Sequence, residues 1–239
     1  MESVYSYLTY RAKTIRDQLC QDDPTPTRVL IAVAGPPGSG KSTIAKEVVT
    51  RLNAKPSKPV AVNVPMDGFH LTQATLNTFP NREEAFARRG APWTFDADGV
   101  VNLVTSLYKT SKDRSIVHKA PGFDHITKDP VKDAITITSD IEYIILEGNW
   151  LLLDEAPWST MSNMVHDTWF VDVQPELALK RVAYRHIKSG IESNWNDAVL
   201  RAQSNDLPNG TLVRTKLVKP GIVVQSVEES VEESEPMTF

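Results

Sequence analysis

Apolar residues along this chain alternate between two spacings. Val4, Leu8, Ala12, Ile15 and Leu19 recur at helical intervals and predict a helix over 2–21, which Pro24 and Pro26 end. Val29-Leu30-Ile31-Ala32-Val33-Ala34 is a continuous apolar run, the pattern of a strand buried on both faces. Helical spacing returns over Ser42 to Leu52, where Ile44, Val48 and Val49 form one stripe. Further strands are predicted near Val60 to Val64, Ser115 to Lys119, Ala134 to Thr138 (alternating, as at an edge), Tyr143 to Leu146, Thr168 to Val173 and Ile222 to Val224. Helices are predicted from a capping box at Asn81-Arg82-Glu83-Glu84, stopping at Gly90, and over Asp98 to Lys109, Pro175 to Lys188 and Asn194 to Ser204. The segments Pro121 to His125 and Asn205 to Gly210 read as loops. Strands alternating with helices imply an α/β fold, a mainly parallel sheet with helices on both faces.

The first apolar run opens directly into Gly35-Pro36-Pro37-Gly38-Ser39-Gly40-Lys41-Ser42, a G-x-x-x-x-G-K-S segment followed by Thr43. Glycines let a loop turn its backbone N–H groups inward around phosphates, Lys41 can reach the β- and γ-phosphates, and the Ser42 hydroxyl can ligate Mg²⁺. Strand, glycine loop, helix is the arrangement this P-loop needs, since the helix N-terminus adds its own partial positive charge. The expected ligand is therefore a nucleoside triphosphate with Mg²⁺.

Composition narrows the classes that remain. The chain has 239 residues, room for one α/β domain, and we expect residues 1–226 to form it, with an N-terminal helix over 1–22. A formal net charge of −4 is concentrated at the end: Ser226 to Phe239 holds five glutamates and no lysine or arginine, which leaves the other 225 residues at +1. A near-neutral body does not fit a general nucleic-acid binder, and residues 227–239 are expected to be an acidic, disordered tail. No apolar stretch approaches a membrane span, no signal peptide is evident, and one cysteine, Cys20, excludes an internal disulfide, so cytoplasm, or nucleus, is the expected compartment.

In an open parallel sheet, ligands bind beyond the carboxyl ends of the strands. The second predicted strand delivers Asp67 there and the Tyr143–Leu146 strand delivers Glu147, so two carboxylates converge on the phosphate loop. One can help hold Mg²⁺; the other can accept or orient the proton of an attacking hydroxyl, which is a poor nucleophile at neutral pH. The helix from Pro175 carries Arg181, Arg185 and Lys188 on one face, where cations closing over a phosphoryl group in flight would stabilise its charge. His70 and His125 fall in segments expected to face the crevice; His118 and His166 read as structural and His186 as either.

The segments Gly35–Ser42, Met66-Asp67-Gly68-Phe69-His70, Arg89-Gly90-Ala91-Pro92-Trp93-Thr94-Phe95-Asp96, Pro121-Gly122-Phe123-Asp124-His125 and Leu146-Glu147-Gly148-Asn149 occur in that order. Together they resemble the phosphoribulokinase/uridine kinase/pantothenate kinase family of P-loop kinases, most closely its fungal uridine kinase-like members, over about Val29 to Val224. The resemblance implies a P-loop NTPase fold with a helical lid, here residues 175–205, and transfer of the γ-phosphoryl group of ATP to a hydroxyl of a nucleoside, sugar or pantothenate-like alcohol. It implies Asp67 as the base, Lys41, Glu147, Arg181 and Arg185 as the other catalytic groups, Ser42 and Glu147 as metal ligands, and an acceptor pocket formed by Asp67, His70, Arg89, Phe123 and His125. The Asn205–Asn209 segment is typical of the same subgroup and is expected near the adenine. His70 stands where uridine kinases carry a tyrosine, so uridine is not implied as the acceptor. The rival reading is a P-loop NTPase with a regulatory or binding role and no small-molecule acceptor; a GTPase would need an Asn-Lys-x-Asp segment, which the chain lacks.

Overall fold

The computed structural model describes residues 1–23, 25 and 27–228; the acidic segment from 229 onward, most of the predicted tail, lies outside the described residues. A five-stranded sheet runs in the order β2 (Ala61–Pro65), β5 (Tyr143–Gly148), β1 (Val29–Ala34), β6 (Asp167–Val173), β7 (Ile222–Ser226). Every pairing in it is parallel, which requires crossovers, and helices supply them.

The continuous apolar runs are explained by burial on two faces. On one face Leu30, Ala32, Ile144, Leu146, Val64 and Phe170 pack beneath Val100, Val104 and Leu107 of α5 (Ala97–Lys109) and beneath Trp150 and Trp158 of the chain that follows β5. On the other, Val29, Ile31, Val33, Ile145, Trp169 and Val171 meet Leu8 and Ala12 of α1 (Glu2–Asp22) and Ile44, Ala45 and Val48 of α2 (Lys41–Leu52). β1 and β5 are buried at every position because neighbouring side chains along each strand enter different cores.

A second, two-stranded sheet stands apart from the first. β3 (His118–Asp124) and β4 (Asp129–Ile137) form an antiparallel hairpin whose register shifts between Ala120 and Gly122. The segment Pro121 to His125, expected as a loop, is therefore mostly strand, ending at Asp124, and the bulge absorbs Pro121 and Gly122 where a regular ladder could not hold a proline. The strand expected from Ser115 begins at His118, because the Asp113 carboxylate first closes a turn onto the Ser115 N–H and hydroxyl.

Four elements are short, and helix-forming periodicity does not announce them: a 3₁₀ turn over Met66–Phe69, α3 (Gln73–Asn77), and 3₁₀ turns at Pro92–Thr94 and Trp158–Met164. The helix expected to run from Asn81 to Gly90 is α4 (Arg82–Ala87). Its cap is not a capping box, since Asn81 Nδ2 donates to the Glu84 carboxylate and the Asn81 side chain accepts no backbone N–H.

After β6 the chain builds α6 (Pro175–Lys188), α7 (Trp195–Arg201), a π-helical turn (Ala202–Asp206) and α8 (Leu207–Thr215). The expected Asn205–Gly210 loop is thus helical. Helix runs unbroken from α7 through the π-turn into α8, with Pro208, which has no N–H to donate, just after the π-turn, and Asn205 and Asn209 find side-chain partners at Arg89 and Arg88. Among the described residues no helix is long and apolar enough to cross a membrane.

Candidate active site

The parallel sheet brings the carboxyl ends of its strands to one edge, and the phosphate loop, Asp67 and Glu147 lie there; Arg89, Phe123, His125, Arg181 and Arg185 come from other elements. Gly35 follows β1 beneath the carbonyl of Val171, at a distance that would put a β-carbon 2.3 Å from that oxygen. Gly38 and Gly40 take φ of 79° and 85°, values L side chains rarely adopt, so the loop curls before α2 begins. Pro36, Pro37 and Ser39 are buried in that curl, while Thr43 lies exposed in the first turn of α2.

Lys41 and Ser42 open α2 and lie against the end of β5. The Ser42 hydroxyl donates to Glu147 Oε2 at 3.0 Å, and Glu147 is paired in register with Val33 on one side and Pro65 on the other. Lys41 and Glu147 are 9% and 6% exposed. Burial draws the Lys41 ammonium below its usual range, opposed by the charges of Glu147 and Asp67; burial also pushes the Glu147 carboxyl up, opposed by Lys41. A hydroxyl and a carboxylate side by side at the mouth of a phosphate loop are hard oxygen donors suited to Mg²⁺. Among the described residues no group of three or more His, Cys, Asp or Glu side chains could hold a metal ion.

Asp67 lies in the 3₁₀ turn that ends β2. Its side chain is exposed, and among the described residues no side chain or backbone group donates a hydrogen bond to its carboxylate. Its charge reaches Lys41, Glu147 and His70. The turn is held down by a backbone contact: a β-carbon on Gly68 would lie 2.2 Å from the Pro121 carbonyl oxygen. Gly68→Ala must therefore push the Asp67 turn away from the hairpin, and we expect it to cost about 1–3 kcal/mol, read as a lower urea midpoint. An unchanged midpoint would show that the contact yields freely.

On the other side of Asp67 an aromatic shelf forms. His70 lies 4.0 Å from Phe95 and 5.0 Å from Phe123, ring centre to ring centre, and His125 meets Phe123 edge-on at 5.4 Å from the exposed tip of the hairpin. His70 Nδ1 is 2.8 Å from the Asp67 carbonyl oxygen, which can only accept, so the proton sits on Nδ1. Burial lowers the His70 pKa and favours the neutral ring, whose Nε2 is then an acceptor. Arg89 spreads over the Phe123 ring at 5.9 Å and donates to the Leu71 carbonyl and to Asp129 Oδ1, each at 3.0 Å. Asp129 also accepts from the Gln73 N–H. Sequence reasoning did not single out Asp129, because its partners are brought to it by the hairpin and not by spacing.

The cations of α6 diverge. Arg181 donates to the Gly38 carbonyl at 3.2 Å, to Ser226 Oγ at 2.8 Å and to the Val227 carbonyl at 2.8 Å, which ties the helix to the phosphate loop and to the end of β7. Arg185 is 58% exposed and stands 3.7 Å from Asp206. His186, on the same helix, is buried with Nε2 3.0 Å from Asp206 Oδ2. His118 bonds the Thr110 hydroxyl and His166 accepts from the Leu30 N–H. Beside Arg181 a cleft of about 470 Å³ opens between α6 and β7, lined by residues that include Leu177, Lys180 and Gln225.

The model of the phosphoribulokinase/uridine kinase family matches residues 30–192, the stretch that carries the phosphate loop, Asp67, the hairpin, Glu147 and the two arginines of α6. The chain belongs to this family. It is 41% identical over 200 residues to "Putative uridine kinase C227.14" of Schizosaccharomyces pombe, a match covering 84% of each chain. It is 36% identical over 186 residues to the ATP-dependent kinase YFH7 of Zygosaccharomyces rouxii, covering 67% of this chain and half the length of that one. The crystal structure of YFH7 from Saccharomyces cerevisiae superposes with a TM-score of 0.79 at 24% identity over 92% of this chain and 99% of that one, which supports the fold. As a member of the phosphoribulokinase/uridine kinase family the chain is an ATP-dependent kinase, a phosphotransferase with the P-loop NTPase architecture.

Proposed function

We propose that this kinase transfers the γ-phosphoryl group of ATP to a hydroxyl of a small metabolite that lays a ring or apolar face on the His70–Phe95–Phe123 shelf. The observation that carries this reading is the position of Asp67, a carboxylate that no group among the described residues donates to and whose charge is felt both by the Lys41–Glu147 pair and by His70 of the aromatic shelf.

The phosphate loop and Lys41 bind the β- and γ-phosphates, and the adenine extends toward the cleft between α6 and β7 and not to the Asn205–Asn209 segment, whose Asn205 and Asn209 side chains are bonded to the Arg89 carbonyl and to Arg88. Ser42 and Glu147 would hold a Mg²⁺ ion that arrives with the nucleotide, and the bound ion would neutralise charge at the phosphates. Asp67 takes the proton of the acceptor hydroxyl as its oxygen attacks phosphorus, and the bond to the ADP oxygen breaks in line. His70 Nε2, an acceptor in the neutral ring, receives a hydrogen bond from a second acceptor hydroxyl and so sets the acceptor's orientation. Arg89, its charge offset by Asp129, fixes the Phe123 face of the pocket and asks for no anionic group on the acceptor. α6 acts as the lid, with the exposed Arg185, held only by its 3.7 Å pairing with Asp206 among the described residues, turning to the phosphates and Arg181 anchoring the helix to Gly38 and Ser226.

A kinase of this design excludes water until the acceptor arrives. ADP release from Mg·ATP is therefore expected to be slow for the protein alone and to rise at least about a hundredfold, the low end for positioned acid–base catalysis, when the right hydroxyl compound is added. Rapid ADP release that no nucleoside, sugar or vitamin alcohol accelerates would favour an NTPase without a small-molecule acceptor.

A further inference from the structure

The π-helical turn Ala202–Asp206 and the start of α8 hold a group of buried polar side chains that the reaction described above does not use. Asn205, Asp206 and Asn209 are 5%, 8% and 3% exposed. Their partners lie on opposite sides of the site. Toward the acceptor side, Asn205 Nδ2 donates to the Arg89 carbonyl at 3.0 Å. Arg88 answers in the other direction, with Nη1 donating to the Ser204 carbonyl at 2.8 Å and Nη2 to Asn209 Oδ1 at 3.0 Å. The chain held between these bonds turns at Gly90, where φ is 108°, and the Gly90 carbonyl is taken by the Trp150 indole N–H. Toward the lid, Asp206 meets His186 at 3.0 Å and Arg185 at 3.7 Å on α6. Toward the phosphates, Gly210 lies against Pro36, so that a β-carbon there would stand 3.2 Å from the proline ring.

The π-turn and the first turn of α8 thus together touch the phosphate loop, the lid helix and the backbone that presents Arg89. π-turns insert an extra residue at a cost in backbone geometry, and they recur at functional sites because they re-aim consecutive side chains. Here Asn205 and Asp206 are consecutive and point to different elements. A buried polar cluster of this kind is rigid only while its members are satisfied, so movement of the lid end must be felt at the acceptor end.

We propose that Asn205 and Arg88 are positioning residues that couple nucleotide binding at the phosphate loop and the Arg185–His186 end of α6 to the placement of Arg89 in the acceptor pocket. The inference rests on the kinase reading, with the nucleotide at the phosphate loop and the acceptor on the aromatic shelf. Asp206 transmits the position of α6 to the π-turn, and Asn205 and Arg88 transmit the position of the π-turn to residues 88–90. Neither side chain touches the reacting atoms.

Hydrogen exchange of the full-length protein, with and without Mg²⁺ and the non-hydrolysable ATP analogue AMP-PNP, tests this without knowledge of the acceptor. In the wild-type protein the analogue is expected to slow exchange at residues 35–42, at 183–190 and also at 88–91. In Asn205→Ala the slowing at 35–42 and 183–190 is expected to persist while that at 88–91 is lost. A merely structural role would instead raise exchange at 88–91 in the nucleotide-free variant and leave the analogue's effect there in place. Arg88→Met, at a half-buried position, gives the same expected pattern should Asn205→Ala fold poorly. Slowing at the phosphate loop and α6 with none at 88–91 in the wild type, or full slowing at 88–91 in Arg88→Met, would overturn the coupling. No slowing anywhere in the wild type would overturn the nucleotide reading itself, and the coupling with it.

Discussion

Asp67→Asn is expected to reduce phosphoryl transfer by about 10²–10⁴-fold, the range for loss of a positioned general base, while Mg·ATP still stabilises the protein against heat as well as it does the wild type. The substitution is nearly isosteric, and Asp67 is exposed with no donor on its carboxylate among the described residues, so the fold has nothing to lose. The backbone bonds that shape its turn come from the His70 N–H and ring to the Asp67 carbonyl, and these survive the change. The amide removes only the capacity to take a proton and the negative charge felt by Lys41, Glu147 and His70. Transfer at the wild-type rate in this variant would remove Asp67 from the mechanism.

Lys41→Met is expected to abolish the stabilisation by Mg·ATP and to lower transfer by about 10²–10³-fold or more, as loss of a preorganised electrostatic group does. It should also change how stability depends on pH. Burial already pushes the Glu147 carboxyl above 4.5, and Lys41 is the charge that opposes it most. Without Lys41 the folded-state pKa of Glu147 rises further, so the folded chain binds this proton more tightly than the unfolded one. The stabilisation that results is complete below 4.5, and it is lost as pH rises through the folded value. Urea midpoints of the variant should accordingly fall more than those of the wild type as pH rises above 4.5. Parallel midpoints would mean that Lys41 and Glu147 do not interact in the folded chain.

The parts of this site that were legible in the sequence are those fixed by local pattern. A fully apolar strand, a glycine-rich turn and a helix are adjacent in sequence, so Gly35 to Ser42 could be read without knowing any long-range contact. Asp67 and Glu147 were legible because each closes an apolar strand, and parallel strands deliver their ends to one edge. What was not legible depends on partners distant in sequence. Pro121-Gly122 carries the chemistry of a turn, yet the bulge against β4 accommodates it within a strand. Asn205-Asp206-Leu207-Pro208-Asn209-Gly210 carries the chemistry of a loop, yet Arg88, the Arg89 carbonyl and His186 satisfy its side chains and leave the backbone free to be helical. The cationic face of α6 was visible as a stripe, but only the tertiary structure separates Arg181, bonded to Gly38 and Ser226, from the exposed Arg185.

The account stands most directly on the product of the reaction. Nucleosides, sugars and vitamin alcohols incubated with the protein and Mg·ATP, and read by mass spectrometry, are expected to yield one compound heavier by a single phosphoryl group, formed with an equal amount of ADP and absent with Asp67→Asn. ADP formed without any phosphorylated acceptor, at the same rate in the wild type and in Asp67→Asn, would contradict it.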